Sequence, residues 1–260
     1  MLSWFKTPNL LSTEDANFQI EIWKWLLKYY GGVHFFQNSH LVLPTQEFFP
    51  TQVHSEDEMV SATFDSVKRY SGMSEWQCQL VIQASDPNIH VAPFVQIQNA
   101  PYSPAGTFQF QQNEATISFH PDLIQQPEKL VATFAHELSH YLTANTPEAP
   151  YGGWENWEFA TDITATFLGF GIFMANSAFQ FEQFSNGDSQ GWKTSRQGYL
   201  SEAEHIFSLT IFLKLLDIPF SNAQQHLKPG LKKLLKLANK QLDDLQAMET
   251  LKAVEYVAQQ

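Results

Sequence analysis

Hydrophobic periodicity divides the chain into a helical start, a strand-forming middle and a long helical remainder. Apolar residues recur at intervals of three and four before a glycine pair, which predicts a first helix over residues 14–30. Ser55 and Glu58 have the spacing of a capping box and open a second periodic run, which predicts a helix ending near Gly72. Between the two helices, short apolar runs within residues 33–43 predict extended segments or loops.

Residues 76–120 change to the two-residue period of β-strands. Apolar and polar side chains alternate around Leu80, around Phe108 and over residues 115–119, which predicts a small mixed sheet. The last of these strands leads directly into a long helix that begins near Pro127, a residue tolerated in a first helical turn.

The rest of the chain has mainly helical periodicity. The predicted helices cover residues 127–144, 154–176 and 202–217, with one or two more over 222–258. A small sheet whose helices follow it in the chain is typical of an α+β fold with a mostly helical C-terminal half. Residues 1–72 are predicted to form an N-terminal extension or an added layer, and residues 73–260 the main domain, with a cleft between the sheet's edge and the helices.

Composition narrows the class of protein. The 260 residues are 43% hydrophobic, enough for a substantial core. Lys and Arg number 15 against 27 Asp and Glu, and the net charge of −12 argues against a nucleic-acid partner. The single cysteine, Cys78, cannot close an intramolecular disulfide and is expected to be a small buried hydrophobe. With no secretory signal at the N-terminus, the expected location is the cytoplasm.

Two segments have features that also occur in membrane-spanning or membrane-binding helices. Residues 163–181 carry no charge and approach the length of a membrane span, but they include Asn176 and follow directly on Asp162. They are therefore predicted to form a helix buried in protein. Lysines at helical spacing between Lys228 and Lys240 are interpreted as a solvated face rather than as a membrane-binding surface.

The pentapeptide His136-Glu137-Leu138-Ser139-His140 carries the clearest candidate chemistry. On an α-helix, residues four apart lie on one face, so both imidazoles can bind one metal ion. Glu137 is about 100° away around the helix, near the ion but off the ligand axis. Catalytic zinc usually has three protein ligands and an open position for water, so this hypothesis requires a third ligand elsewhere in the chain.

A carboxylate after the motif can supply that ligand. Glu158 and Asp162 are four residues apart and lie on one face of the following predicted helix. Glu155 is the alternative ligand, although it lacks an acidic partner four residues later. A carboxylate such as Asp162 commonly accepts the second ring proton of a ligand histidine.

This pattern of HExxH followed by ExxxD resembles the signature of the gluzincin, or thermolysin-like, zinc metallopeptidases. The resemblance covers about residues 115–176. It implies a zincin-like fold in which residues 115–119 form the edge strand along which an extended peptide binds. It further implies that His136, His140 and Glu158 bind Zn²⁺, that Glu137 is the general base and acid, and that Asp162 holds a ligand histidine.

An oxyanion donor completes the predicted site. His205, in the first turn of a helix opened by Ser201 and Glu204, is the candidate, and Tyr199 and Tyr151 are its rivals.

The leading hypothesis is a zinc-dependent peptidase that hydrolyses peptide or protein substrates with a metal-activated water. Two others stay open: a non-catalytic zinc-binding regulatory or scaffold protein, and a helical protein in which the motif is accidental.

Overall fold

The computed structural model describes residues 9–49, 54–84, 105–111, 114–184 and 200–258. Within these ranges the helices are α1 Thr13–Tyr30, α2 Gly32–Asn38, α3 Glu56–Tyr70, α4 Pro127–Thr143, α5 Trp157–Ala165, α6 Gly171–Phe184, α7 Glu202–Leu215, α8 Phe220–Gln224, α9 Leu231–Asp244 and α10 Ala247–Lys252. The strands are β1 Cys78–Ile82, β2 Gly106–Gln111 and β3 Glu114–Phe119. The predicted α+β class and the small mixed sheet are confirmed.

The three-stranded sheet has the order β1-β3-β2. β3 pairs in parallel with β1 and antiparallel with β2. The prediction that residues 115–119 form an edge strand is therefore wrong, because β3 is central and β2 lies at an edge of the described sheet. Alternation in a sequence reports which face of a strand is buried, and it does not report how many neighbouring strands the backbone bonds.

The apolar face of β3 packs against α4. Ile117 and Phe119 are fully buried, and the ring of Phe119 lies 5.5 Å from that of Phe134 on the helix. Phe64 of α3 contacts Phe134 from another side, with ring centres 5.0 Å apart. Because α4 is enclosed by the sheet and by neighbouring helices, the residues of the pentapeptide are carried into the interior.

The helix predicted over residues 154–176 is interrupted. A 3₁₀ turn over Trp154–Asn156 precedes α5, and a π-helical segment, Thr166–Phe170, separates α5 from α6. Gly169 has a φ of +101°, and its carbonyl accepts a 3.0 Å hydrogen bond from the amide of Val42. The glycine thus turns the helix and lets the chain after α2 pass close by. No helix in the described ranges is long and apolar enough to cross a bilayer.

The prediction of extended segments or loops within residues 33–43 is wrong for residues 33–38, which belong to α2, whereas residues 39–43 lie outside any helix or strand, as predicted. Phe35 of α2 is buried and stacks on Phe167, with ring centres 4.3 Å apart. A helix of two turns shows too little of its period in the sequence to be separated from a strand or loop.

The first helix lies against the C-terminal helices. The indole N–H of Trp23 in α1 donates a 2.9 Å hydrogen bond to the hydroxyl of Ser208 in α7, and both side chains are fully buried. The domain boundary at residue 72 stays a prediction.

Replacing Gly169 with alanine is expected to lower the free energy of unfolding by roughly 2–4 kcal/mol, because the residue has a positive φ and a Cβ would overlap the carbonyl oxygen of His40. The matched control is Gly230→Ala, since Gly230 has a φ of −61° and open space around its Cβ position. This control is expected to leave stability unchanged or raise it by up to about 1 kcal/mol. Urea unfolding curves measure both changes, and equal stabilities would contradict the interpretation.

Candidate metal centre

Three ligand atoms from α4 and α5 converge on one point. His136 and His140 lie one turn apart on α4, and their Nε2 atoms are 3.1 Å apart. Oε2 of Glu158, in the first turn of α5, lies 3.3 Å from each Nε2. Ligand atoms about 2.0–2.2 Å from a tetrahedral zinc ion lie about 3.3–3.6 Å from one another. The separations are close to those of a zinc site.

Asp162 fixes the orientation of His136. Its Oδ1 lies 2.9 Å from Nδ1 of His136, and its Oδ2 accepts a 2.9 Å hydrogen bond from the backbone amide of Leu200. The side chain of Asp162 is only 1% exposed, and its second partner, Leu200, lies two residues before the start of α7. Because a carboxylate accepts hydrogen bonds, it holds a proton on Nδ1 of His136, so the neutral ring has its lone pair on Nε2.

Thr161 has the corresponding role at His140. Its hydroxyl donates to the carbonyl of Trp157 over 2.8 Å, and its oxygen lies 3.2 Å from Nδ1 of His140. With its own proton engaged, Thr161 can only accept from that ring, which leaves a lone pair on Nε2 of His140. The indole of Trp157 packs edge-on against the same imidazole, with ring centres 4.7 Å apart.

The donor set suits a cation. Nε2 of His136, Nε2 of His140 and Oε2 of Glu158 lie within hydrogen-bond distance of one another. Each of these atoms can donate an electron pair to a cation placed between them. His136, His140 and Glu158 fit zinc in number, atom type and spacing.

The electrostatics of the cluster also favour a cation between the three candidate ligands. Burial lowers the pKa of His136, but hydrogen bonds to Asp162 and Glu158 outweigh burial, and the pKa is raised well above its ordinary value. Burial lowers the pKa of His140. For Glu158, burial acts to raise the pKa, but hydrogen bonds from the two histidines hold it below its ordinary value. The cluster therefore favours positive charge, and a proton on His136 would compete with a metal ion for the same place.

Glu137 lies beside the ligands and against the edge strand. It is 5% exposed, and burial raises its pKa to about 7, against the opposing effect of His136. A Cβ at Gly106 of β2 would lie 2.8 Å from Oε1 of Glu137 and 2.6 Å from Cγ2 of Thr133. Glycine at position 106 thus allows β2 to lie against α4 without displacing the carboxylate.

The structure separates the two carboxylate ligand candidates. Glu158 joins both histidines, whereas Glu155 is exposed in the 3₁₀ turn Trp154–Asn156, and its carboxylate lies near Gly153. Of the two, the described structure brings Glu158 to the histidines.

The oxyanion candidates occupy different places. His205 is buried, with Nε2 3.8 Å from Oδ2 of Asp162, so the Asp162 carboxylate lies between His205 and His136. Tyr151 is 55% exposed and contacts the ring of Phe18. Tyr199 lies outside the described residues. The role of His205 in oxyanion stabilisation stays a prediction.

Sequence reasoning missed three contributors to the site: Thr161, the amide of Leu200 and Gly106. Thr161 stands three residues after Glu158, so it shares a helix face with this ligand, and that spacing could have identified it. No sequence signal marks the other two, because each acts through a contact between segments distant in the chain.

Comparison with protein-family models, with curated proteins and with solved structures finds no match to this chain. The interpretation of the site therefore rests on its residues.

Zinc affinity is expected to rise with pH above about 6.5, by up to about tenfold per pH unit, because the ion must displace a proton that His136 keeps above the ordinary histidine pKa. The lowered pKa of His140 keeps this ring neutral, so it contributes no second proton. Competition with a chelator at several pH values measures the slope, and calorimetry in two buffers counts the proton released. An affinity independent of pH, after allowance for the chelator's own protonation, would contradict the assignment.

Thr161→Val is expected to weaken zinc binding by roughly 10- to 100-fold, because it removes the acceptor that orients His140. Thr164→Val is the matched control, since this buried hydroxyl of α5 bonds the carbonyl of Ala160. Zinc titration against a chelator compares the two variants, and equal affinities would show that Thr161 does not orient the ligand.

Proposed function

We propose that the protein is a zinc-dependent peptidase of gluzincin type with a zincin-like fold. The observation that carries the proposal is the convergence of His136, His140 and Glu158 beside a buried glutamate, Glu137, whose pKa of about 7 suits proton transfer near neutral pH. A purely structural zinc site would normally close its fourth position with Cys or His and has no use for such a base.

The chemistry divides between the ion and the chain's own residues. Zinc, when bound, would act as a Lewis acid that brings the pKa of a coordinated water towards about 7. Glu137 takes one proton from the water that attacks the peptide carbonyl and delivers it to the leaving nitrogen, so the C–N bond breaks without a covalent enzyme intermediate. Asp162 and Thr161 hold the imidazoles in the tautomer that keeps Nε2 unprotonated.

The edge strand supports a peptide as the substrate. β2 pairs with β3 on one side and has no strand of the described residues on its other side. An extended peptide can add to such an edge through backbone hydrogen bonds. Because Gly106 of β2 lies against Glu137, a peptide along this edge would pass close to the proposed base. We place the reaction in the cytoplasm, in keeping with the single free cysteine, Cys78.

Glu137→Gln is expected to retain about one zinc ion per chain while lowering hydrolysis of unstructured peptides by at least about 10²- to 10⁴-fold, because only the proton acceptor is lost. The matched control, Glu155→Gln, makes the same change at an exposed site and is expected to keep both zinc and activity. Zinc content by elemental analysis and cleavage of a quenched-fluorescence peptide library provide the two measurements.

Each adverse outcome has its own meaning. A wild-type protein that holds zinc but cleaves no peptide would favour a regulatory or scaffold role. A protein that takes up no zinc in zinc-replete medium would make the motif accidental.

A further inference from the structure

A cavity whose lining includes none of the three candidate ligands opens at the C-terminal end of α4. It has a volume of about 710 Å³ and is lined by the C-terminal ends of α1, α3 and α4, by α2, and by the segment after α10. Its size is within the range of pockets that hold small organic molecules, about 300–1,000 Å³. We call it the tyrosine cavity, after Tyr29, Tyr30, Tyr70, Tyr141 and Tyr256 in its walls.

The walls suit an aromatic ring. Besides the five tyrosines, Trp76 and two phenylalanines, Phe35 and Phe167, line the cavity. Aromatic side chains contact a ligand ring by offset stacking or edge-to-face packing and lose little conformational entropy in doing so. The cavity walls therefore offer several aromatic rings against which the ring of a ligand could pack.

The charge of the walls is opposite to that of the protein. The described lining residues include no Asp or Glu, although the whole chain carries 27 acidic residues and a net charge of −12. Arg69 is the permanent cation among them, and its guanidinium lies 4.8 Å from the centre of the Tyr70 ring. Arginine remains charged at all working pH values and pairs with carboxylates through two parallel hydrogen bonds.

Two histidines add polar groups to the same walls. Nδ1 of His34 lies 2.9 Å from the amide nitrogen of Asn38, which orients the ring. The ring of His40 packs edge-on to Tyr70, with centres 6.2 Å apart. Together with Arg69 they supply a small number of oriented polar groups in a mainly aromatic pocket, the usual pattern of a specific ligand site.

The segment after α10 builds one wall. The amide of Val257 donates a 2.8 Å hydrogen bond to the carbonyl of Lys28, and the ring of Tyr256 lies directly against Gly32. Gly32 has a φ of +65°, and a Cβ there would stand 2.8 Å from the tyrosine ring. A backbone hydrogen bond and a glycine therefore hold Tyr256 in place.

We propose that the tyrosine cavity binds a small aromatic carboxylate, with Arg69 pairing the carboxylate and the tyrosine walls holding the ring. The charge complementarity selects an anion, and the wall composition selects an aromatic body. The site needs neither bound zinc nor peptidase activity, so it stands independently of the proposed function.

Calorimetric titration with 3-phenylpropionate and with 3-phenylpropan-1-amine, two probes of nearly equal size and opposite charge, tests the proposal. The acid is expected to bind at one site, and the amine at least about tenfold more weakly. Arg69→Gln is expected to weaken the binding of the acid by about tenfold or more. Lys233→Gln, which removes an equal charge from the exposed face of α9, is expected to leave its affinity unchanged.

A second variant distinguishes the contribution of the aromatic wall to binding from that of the Arg69 charge. Tyr256→Ala is expected to weaken the binding of 3-phenylpropionate and of the neutral 3-phenylpropan-1-ol by the same factor, since it alters the aromatic wall and not the charge of the cavity. Urea unfolding of each variant confirms that it is folded. The proposal is overturned if the acid shows no saturable binding at millimolar concentration, if acid and amine bind equally, or if Arg69→Gln and Lys233→Gln have the same effect.

Discussion

The buried carboxylate of Asp162 is the interaction on which the candidate centre depends. One oxygen bonds His136 of α4 and the other accepts the amide of Leu200, so a single side chain of α5 connects both neighbouring parts of the fold. A buried charge is costly unless it is fully bonded, and these partners meet that requirement. The same bonds orient an imidazole towards Glu158. The packing of the helices and the geometry of the proposed zinc site are therefore consequences of one arrangement.

Close approach of backbone to side chain governs the other half of the site. β2 lies against α4 because position 106 has no Cβ, and this brings the outer strand of the described sheet next to the carboxylate of Glu137. Burial also raises the pKa of that carboxylate to about 7. Edge, base and ligands thus occupy one region although they come from a strand and two helices.

Sequence reasoning identified the parts that depend on local spacing. The periods of α1, α3 and α4 were sufficient to place these helices within a residue or two, and the four-residue spacing of His136 and His140 placed both rings on one face. It failed where a tertiary contact decides the outcome. β3 became central because both of its edges found partners, and Gly169 interrupted a helix to admit the chain beside Val42. Thr161 became an orienting group only when α5 packed on α4.

All three candidate ligands, and both side chains that orient them, lie between His136 and Asp162 on two helices adjacent in the chain. The entropy lost in closing so short a loop is small, and contacts of low sequence separation form early in folding. This helical hairpin can assemble a metal-binding constellation before α7 to α10 have docked. A zinc ion bound as proposed would then make the rate at which the chain reaches its native state depend on the supply of metal during synthesis.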